Sequence, residues 1–176
     1  MCAICDFKIE FDVSHPHALG VAVATRDAID AGKLPERLFD GPLGNMKMRA
    51  AAIDALKDLQ RQMEAVVPSS ELIALPDFYV LLIENATWGF FRATESGFDS
   101  DVVPDVPDVT AERQSDRAIV LVSAETTMRS MLDNRFSLQF ALSLGLIALD
   151  AGEDDRMALL TMLERALAAL PSTVSG

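Results

Sequence analysis

Residues 119–170, IVLVSAETTMRSMLDNRFSLQFALSLGLIALDAGEDDRMALLTMLERALAAL, decide the fold class, because both strand-like and helix-like patterns occur within them. The apolar run Ala118 to Val122 reads as a buried strand, too short for a helix and rich in β-branched side chains. Ser123, with Thr126 and Thr127, then opens a helix that lasts to Asp133 and Asn134, and Asn134 suits a left-handed cap. Ser137 caps a short helix over 138–144, Gly145 ends it, and Leu146 to Leu149 reads as another buried strand. After Gly152, the acids Glu153, Asp154 and Asp155 stand where a helix N-terminus favours negative charge. Leu159, Leu160, Leu163, Leu167 and Leu170 share one face of that last helix, which Pro171 terminates. Strands interleaved with helices on this scale describe an α+β domain.

The upstream sequence fits the same class. Cys5, Phe7, Ile9, Phe11 and Val13 alternate with charged residues, the period of a strand with one buried face. Ser14 is placed to cap a helix over 17–31 that carries Leu19, Val23 and Ile29 and stops at Gly32. Residues 33–45, with Pro35, Gly41, Pro42 and Gly44, read as irregular. From Met46, the spacing Ile53, Leu56, Leu59, Met63, Val66 describes one apolar face of a helix that Pro68 ends. Residues 78–83 and 87–93 form a hairpin around Glu84-Asn85-Ala86. Residues 95–116, with Asp99, Asp101, Asp105, Asp108 and Glu112 beside Pro104 and Pro107, read as an exposed acidic loop. The whole chain, 1–176, is expected to be a single domain with five strands and five helical segments.

Composition narrows the function classes. A net charge of −12 opposes nucleic acid or anionic lipid surfaces as main partners. Half of the residues are hydrophobic, more than a minimal core requires, which points to an apolar cavity or to a homodimer interface. The longest nearly uncharged run, 138–149, falls well short of the length a bilayer-spanning helix needs. Residues 1–12 lack the pattern of a signal peptide. No membrane span and a cytoplasmic location are therefore expected.

The order from Ile119 onward resembles the SCP-2 (sterol carrier protein 2) domain: a strand, an acid-containing helix here written SAETTMRSML (123–132), a turn, the short helix SLQFA (137–141), then GLIAL (145–149) and a final helix over 157–170. The likeness covers the C-terminal third and is one of element order. It departs from the family at Asn134, where Gly is usual, and at Leu146 and Ala148, where the strand usually carries Lys. The resemblance implies a five-stranded, mainly antiparallel sheet covered by helices around an apolar tunnel that carries lipids or related hydrophobic molecules.

Two residue sets are candidates for a site. Trp88 and Phe90, with Met128, Met131, Leu132, Phe136 and Phe140, have the aromatic and polarisable side chains that line adaptable apolar cavities, and equally those that fill an ordinary core. Cys2-x-x-Cys5 and His15-x-His17 are ligand types that zinc accepts. A straight strand between Cys5 and His15 would nevertheless hold them at its opposite ends, too far apart to share one ion. No G-x-S-x-G elbow, phosphate-cradling glycine loop or EF-hand is present, and only two histidines offer an imidazole base. The sequence therefore leads to a non-catalytic module that binds or carries an apolar small molecule or lipid between sheet and helices. The alternative is a metal- or thiol-dependent protein built on the two cysteines and two histidines, either with the first residues folded back or with ligands from two chains across a dimer interface.

Overall fold

The computed structural model describes residues 14–168. The strand expected over 5–13, Cys2, Cys5, Leu170 and Pro171 lie outside the described residues. The elements are α1 (Ala18–Asp30), α2 (Gly44–Val66), α3 (Ser69–Leu72), β1 (Phe78–Leu82), β2 (Thr87–Phe91), β3 (Ala93–Thr94), β4 (Gly97–Phe98), β5 (Val120–Ser123), α4 (Glu125–Leu132), α5 (Leu138–Ser143), β6 (Ile147–Asp150) and α6 (Glu153–Ala168). The α+β class stands.

The expected five-stranded, mainly antiparallel sheet is corrected. Among the described residues the main sheet has four strands in the order β2-β1-β5-β6, and β3 and β4 form a separate two-stranded hairpin. β1 pairs antiparallel with β2 and β5 antiparallel with β6, but β1 and β5 run parallel at the centre. The register explains the mixture. Phe91 at the end of β2 lies opposite Phe78, and Val120 at the start of β5 lies opposite Tyr79. The connection from 92 to 119 thus leaves and re-enters at the same end of the sheet, and a strand that starts there beside β1 must run parallel to it.

Alternation sends successive side chains to opposite faces. Phe78, Val80, Leu82, Phe91, Leu121 and Leu149 face a large core completed by α2, α4, α5 and α6. Of the stripe the sequence predicted, Leu56, Leu59 and Met63 are fully buried, whereas Ile53 and Val66 at either side are only half-buried and lie outside this core. Each apolar side chain removed from water this way is worth about 1.5–3 kcal/mol. Gly89 sits on this face with Leu56 packed where a Cβ would project, at 3.1 Å, a tight approach that a larger residue would meet only if Leu56 gave way by a few tenths of an ångström. Tyr79, Leu81, Trp88, Phe90, Val120 and Val122 face the other way, into a smaller core closed by Val21 of α1 and by Val109.

The covering of that second face differs from the expectation in two respects. Residues 99–113 hold no regular element and expose most of their acids, yet Val109 is buried and the Tyr79 hydroxyl donates to the Asp105 carbonyl at 2.8 Å, so the segment is strapped across the sheet. In α1, Leu19 and Val23 are exposed, whereas Val21, Thr25 and Ala28 are buried. The apolar residues of α1 thus divide between the two cores, Val21 on the α1 side of the sheet and Ala28 in the larger core, and Leu19 and Val23 are left outward.

Helix ends show the same division. Gly32, Asn134 and Gly145 have positive φ and take the left-handed conformation that ends helices. The Ser137 side chain accepts from the Phe140 N–H, as the sequence indicates. Ser14 caps nothing, because α1 begins after a turn at Pro16 and His17. Ser123 belongs to β5 rather than to the following helix. The cap of α4 is instead supplied from the turn after β1, where the Glu84 carboxylate accepts from the Glu125 N–H at 2.6 Å.

Candidate functional site

Two grooves flank the junction between β5 and α4. The first, about 450 Å³, lies between α1 and the ends of β1 and β5. Ala18, Ala22, Thr25 and Ile29 recur on one side of α1 at steps of three or four and form one wall. Ile83, just past β1, and Ala124, just past β5, form the other. Because β1 and β5 are parallel, their carboxyl ends lie together and their chains part there, one turning back into β2 and the other entering α4. Parallel strands whose chains diverge leave a crevice at their carboxyl ends.

This groove is apolar, apart from Arg26 and Glu84 at its border. Within its wall the Thr25 hydroxyl is buried without a hydrogen-bond partner among the described residues. Such a group costs free energy unless something binds it. Glu84 exposes much of its surface, but crowding at the carboxyl pushes its pKa above the ordinary 4.5, against the opposing pull of the Glu125 N–H. The outer side of α1 continues the apolar character, with Leu19 76% and Val23 54% exposed.

The second groove, about 650 Å³, runs between α2 and α4 and is bordered by residues 35–39. Lys47, Ala50, Ala51 and Asp54 face it from α2, and Thr126, Arg129 and Ser130 from α4 with Asp133 at its C-terminal cap, both sets at i, i+3, i+4, i+7. Arg37 and Arg135 complete it. Behind it, the buried Glu125 accepts from Arg37 at 2.5 Å, and Arg129 donates to Asp58. Burial pushes the Glu125 carboxyl above its ordinary value, while Arg37 and Arg129 oppose the shift. The Thr126 hydroxyl donates to the Pro35 carbonyl and ties the bordering segment to α4.

The seven predicted ligand-lining residues are not brought together. Trp88 and Phe90 are buried on the α1 side of the sheet, where they pack around Tyr79. Met128, Met131 and Leu132 are buried on the opposite side. Phe136 and Phe140 touch each other near the surface, with ring centroids 5.6 Å apart, and Phe140 is exposed. None of the seven lines either groove.

Of the zinc-type ligands, only His15 and His17 are among the described residues. His15 is buried; its Nδ1 accepts from the His17 N–H at 3.1 Å, and its Nε2 lies 3.3 Å from Asp150 Oδ2. That contact is close enough for a charge pair but lies off the line of a hydrogen bond, so Nε2 has no hydrogen-bond partner among the described residues. Asp150 also accepts from Gln114 at 2.8 Å and Arg117 at 3.3 Å. Burial holds the His15 pKa below its ordinary 6.5, and Asp150 recovers part of the loss, as opposite charge does beside a desolvated imidazole. With Nδ1 taken and Nε2 against Asp150, His15 is placed to anchor the start of α1 to β6. Among the described residues there is no group of three or more His, Cys, Asp or Glu suited to a metal ion. No described helix is long and apolar enough to cross a membrane.

What the sequence did not show is the cationic groove, since Arg37, Lys47, Arg129 and Arg135 are spread along the chain and no local run announces them. Comparison with protein-family models, curated proteins and solved structures gives no match for this chain.

Proposed function

We propose that the protein is a binding or carrier module for an apolar small molecule or lipid, with the groove between α1 and the ends of β1 and β5 as its seat. The observation that carries this reading is the pairing of an apolar wall with a buried, partnerless Thr25 hydroxyl. An apolar body with one polar group would bury against Ala18, Ala22, Ile29 and Ile83, and rotation of the Thr25 side chain would bring its now buried hydroxyl to the ligand's polar atom. The SCP-2-like order of elements in the C-terminal third agrees with a carrier role, and it gives the same ligand class.

The test uses a naphthalene-type fluorescent fatty acid, read by energy transfer from Trp88, the chain's single tryptophan. Saturable micromolar binding is expected. Ala22→Arg, at an exposed position of the wall, should weaken it at least about tenfold with the melting temperature unchanged. Binding that is absent, or equal in the two proteins, contradicts the reading.

A further inference from the structure

We propose that the groove between α2 and α4 is a second binding site, for the oxyanion of a phosphate ester whose organic part carries hydroxyl groups. This chain carries 15 Lys and Arg against 27 Asp and Glu. Four of those cations line this one groove, with two carboxylates, Asp54 and Asp133. An acidic chain gains nothing in solubility from concentrating its positive charge in a concavity, whereas a cationic concavity draws anions in.

The four cations are not equivalent. Arg37 and Arg129 are held from behind by Glu125 and Asp58. This fixes their position while leaving guanidinium N–H groups over, because each guanidinium has five and the hydrogen bonds described take one from each. Lys47 makes no ion pair with the described residues, and Arg135 pairs with Asp133 only by charge, at 4.0 Å, a distance beyond hydrogen-bond length that leaves its N–H groups over. Fixed guanidinium groups with N–H groups to spare, beside the unpaired Lys47, suit a tetrahedral oxyanion.

The rest of the lining specifies what the anion is attached to. Arg37 stacks on Phe39, with its guanidinium carbon 5.4 Å from the ring centroid, within cation–π range. Pro35, Ala50 and Ala51 add small apolar surface, so a compact organic body has a wall to lie on. Asp54 and Asp133 would repel a second anion and accept hydrogen bonds from hydroxyl groups. The groove's volume is in the range of small-molecule sites and fits a sugar or nucleoside phosphate. A lipid phosphate headgroup shares this chemistry, and the experiment separates the two sources.

Titration calorimetry would compare adenosine monophosphate, adenosine and a short-chain lysophosphatidic acid. The proteins would be the full chain and Lys47→Ala/Arg135→Ala, a double variant at two exposed positions outside the α1 groove. Adenosine monophosphate is expected to bind below about 1 mM, adenosine at least about tenfold more weakly, and the double variant should lose about tenfold or more in affinity at an unchanged melting temperature. Binding of lysophosphatidic acid alone, lost in the double variant, upholds the site with a lipid headgroup as its source. No binding of either phosphate ester, adenosine binding as well as its monophosphate, or a double variant equal to the parent overturns the proposal. The Ala22→Arg variant separates this result from the apolar groove, since it leaves every lining residue of the cationic groove in place.

Discussion

The two faces of the central sheet are built on different terms. On the face toward α2, α4 and α6, long helices with large aliphatic stripes close a deep apolar core around Leu56, Leu59 and Met63. On the other, one helix and an irregular acidic segment cover a thinner aromatic layer, with the Tyr79 hydroxyl donating to the Asp105 carbonyl and His15 lying against Asp150. The first face is positioned for stability. The second, where the apolar groove opens, has less apolar contact to lose.

Substitution on each face tests this difference. Leu56→Ala empties a fully buried site that also packs on Gly89, and it should cost about 3–5 kcal/mol in urea unfolding. Val21→Ala is the corresponding deletion on the α1 side, of two carbons against the three lost at Leu56. It removes two methyl groups and should cost roughly 1.6 kcal/mol. Equal losses would erase the distinction. Glu84→Ala removes the cap of α4 and should cost about 1 kcal/mol, while Glu84→Gln, which keeps an acceptor oxygen, should cost less.

Smaller effects sharpen the account of the α1 side. Thr25→Val replaces a buried, partnerless hydroxyl by a methyl. It should leave stability unchanged or raise it by up to about 1 kcal/mol, while weakening any ligand that uses the hydroxyl. A clear loss of stability would mean that the hydroxyl has a partner. The pH response of His15 is the subtlest. Its folded pKa lies below 6.5, so below that pH the unfolded chain binds the proton more readily than the folded one. Stability should therefore fall as pH drops from 6.5 to the folded pKa and level off beneath it, and His15→Gln should flatten this part of the profile relative to the parent.

The sequence revealed one face of the sheet far better than the other, for a physical reason. The stripes Leu56-Leu59-Met63 and Leu159-Leu163 repeat at helical spacing, and φ-positive residues such as Gly32, Asn134 and Gly145 mark helix ends locally. Those signals belong to one element at a time. The parallel pairing of β1 with β5, the tertiary cap Glu84–Glu125 and the burial of Val109 depend on residues far apart in the chain, and no local pattern encodes them. In α1, Leu19 and Val23 pointed to the wrong face: both are exposed, and Val21, Thr25 and Ala28 are buried instead. The grooves were hidden for the same reason. Ala50 and Ala51 read as helix formers, and only the fold sets them opposite Thr126 and Ser130 with arginines at the margin.

Amide hydrogen exchange, with and without a saturating medium-chain fatty acid, tests the contrast between the faces and the proposed role of α1 together. The account predicts that amides of α1 exchange at least about 100-fold faster than those of the buried face of α2, a gap of about 3 kcal/mol in opening free energy, and that the fatty acid slows α1 selectively. Exchange in α1 as slow as in α2, and unaltered by the fatty acid, would contradict it.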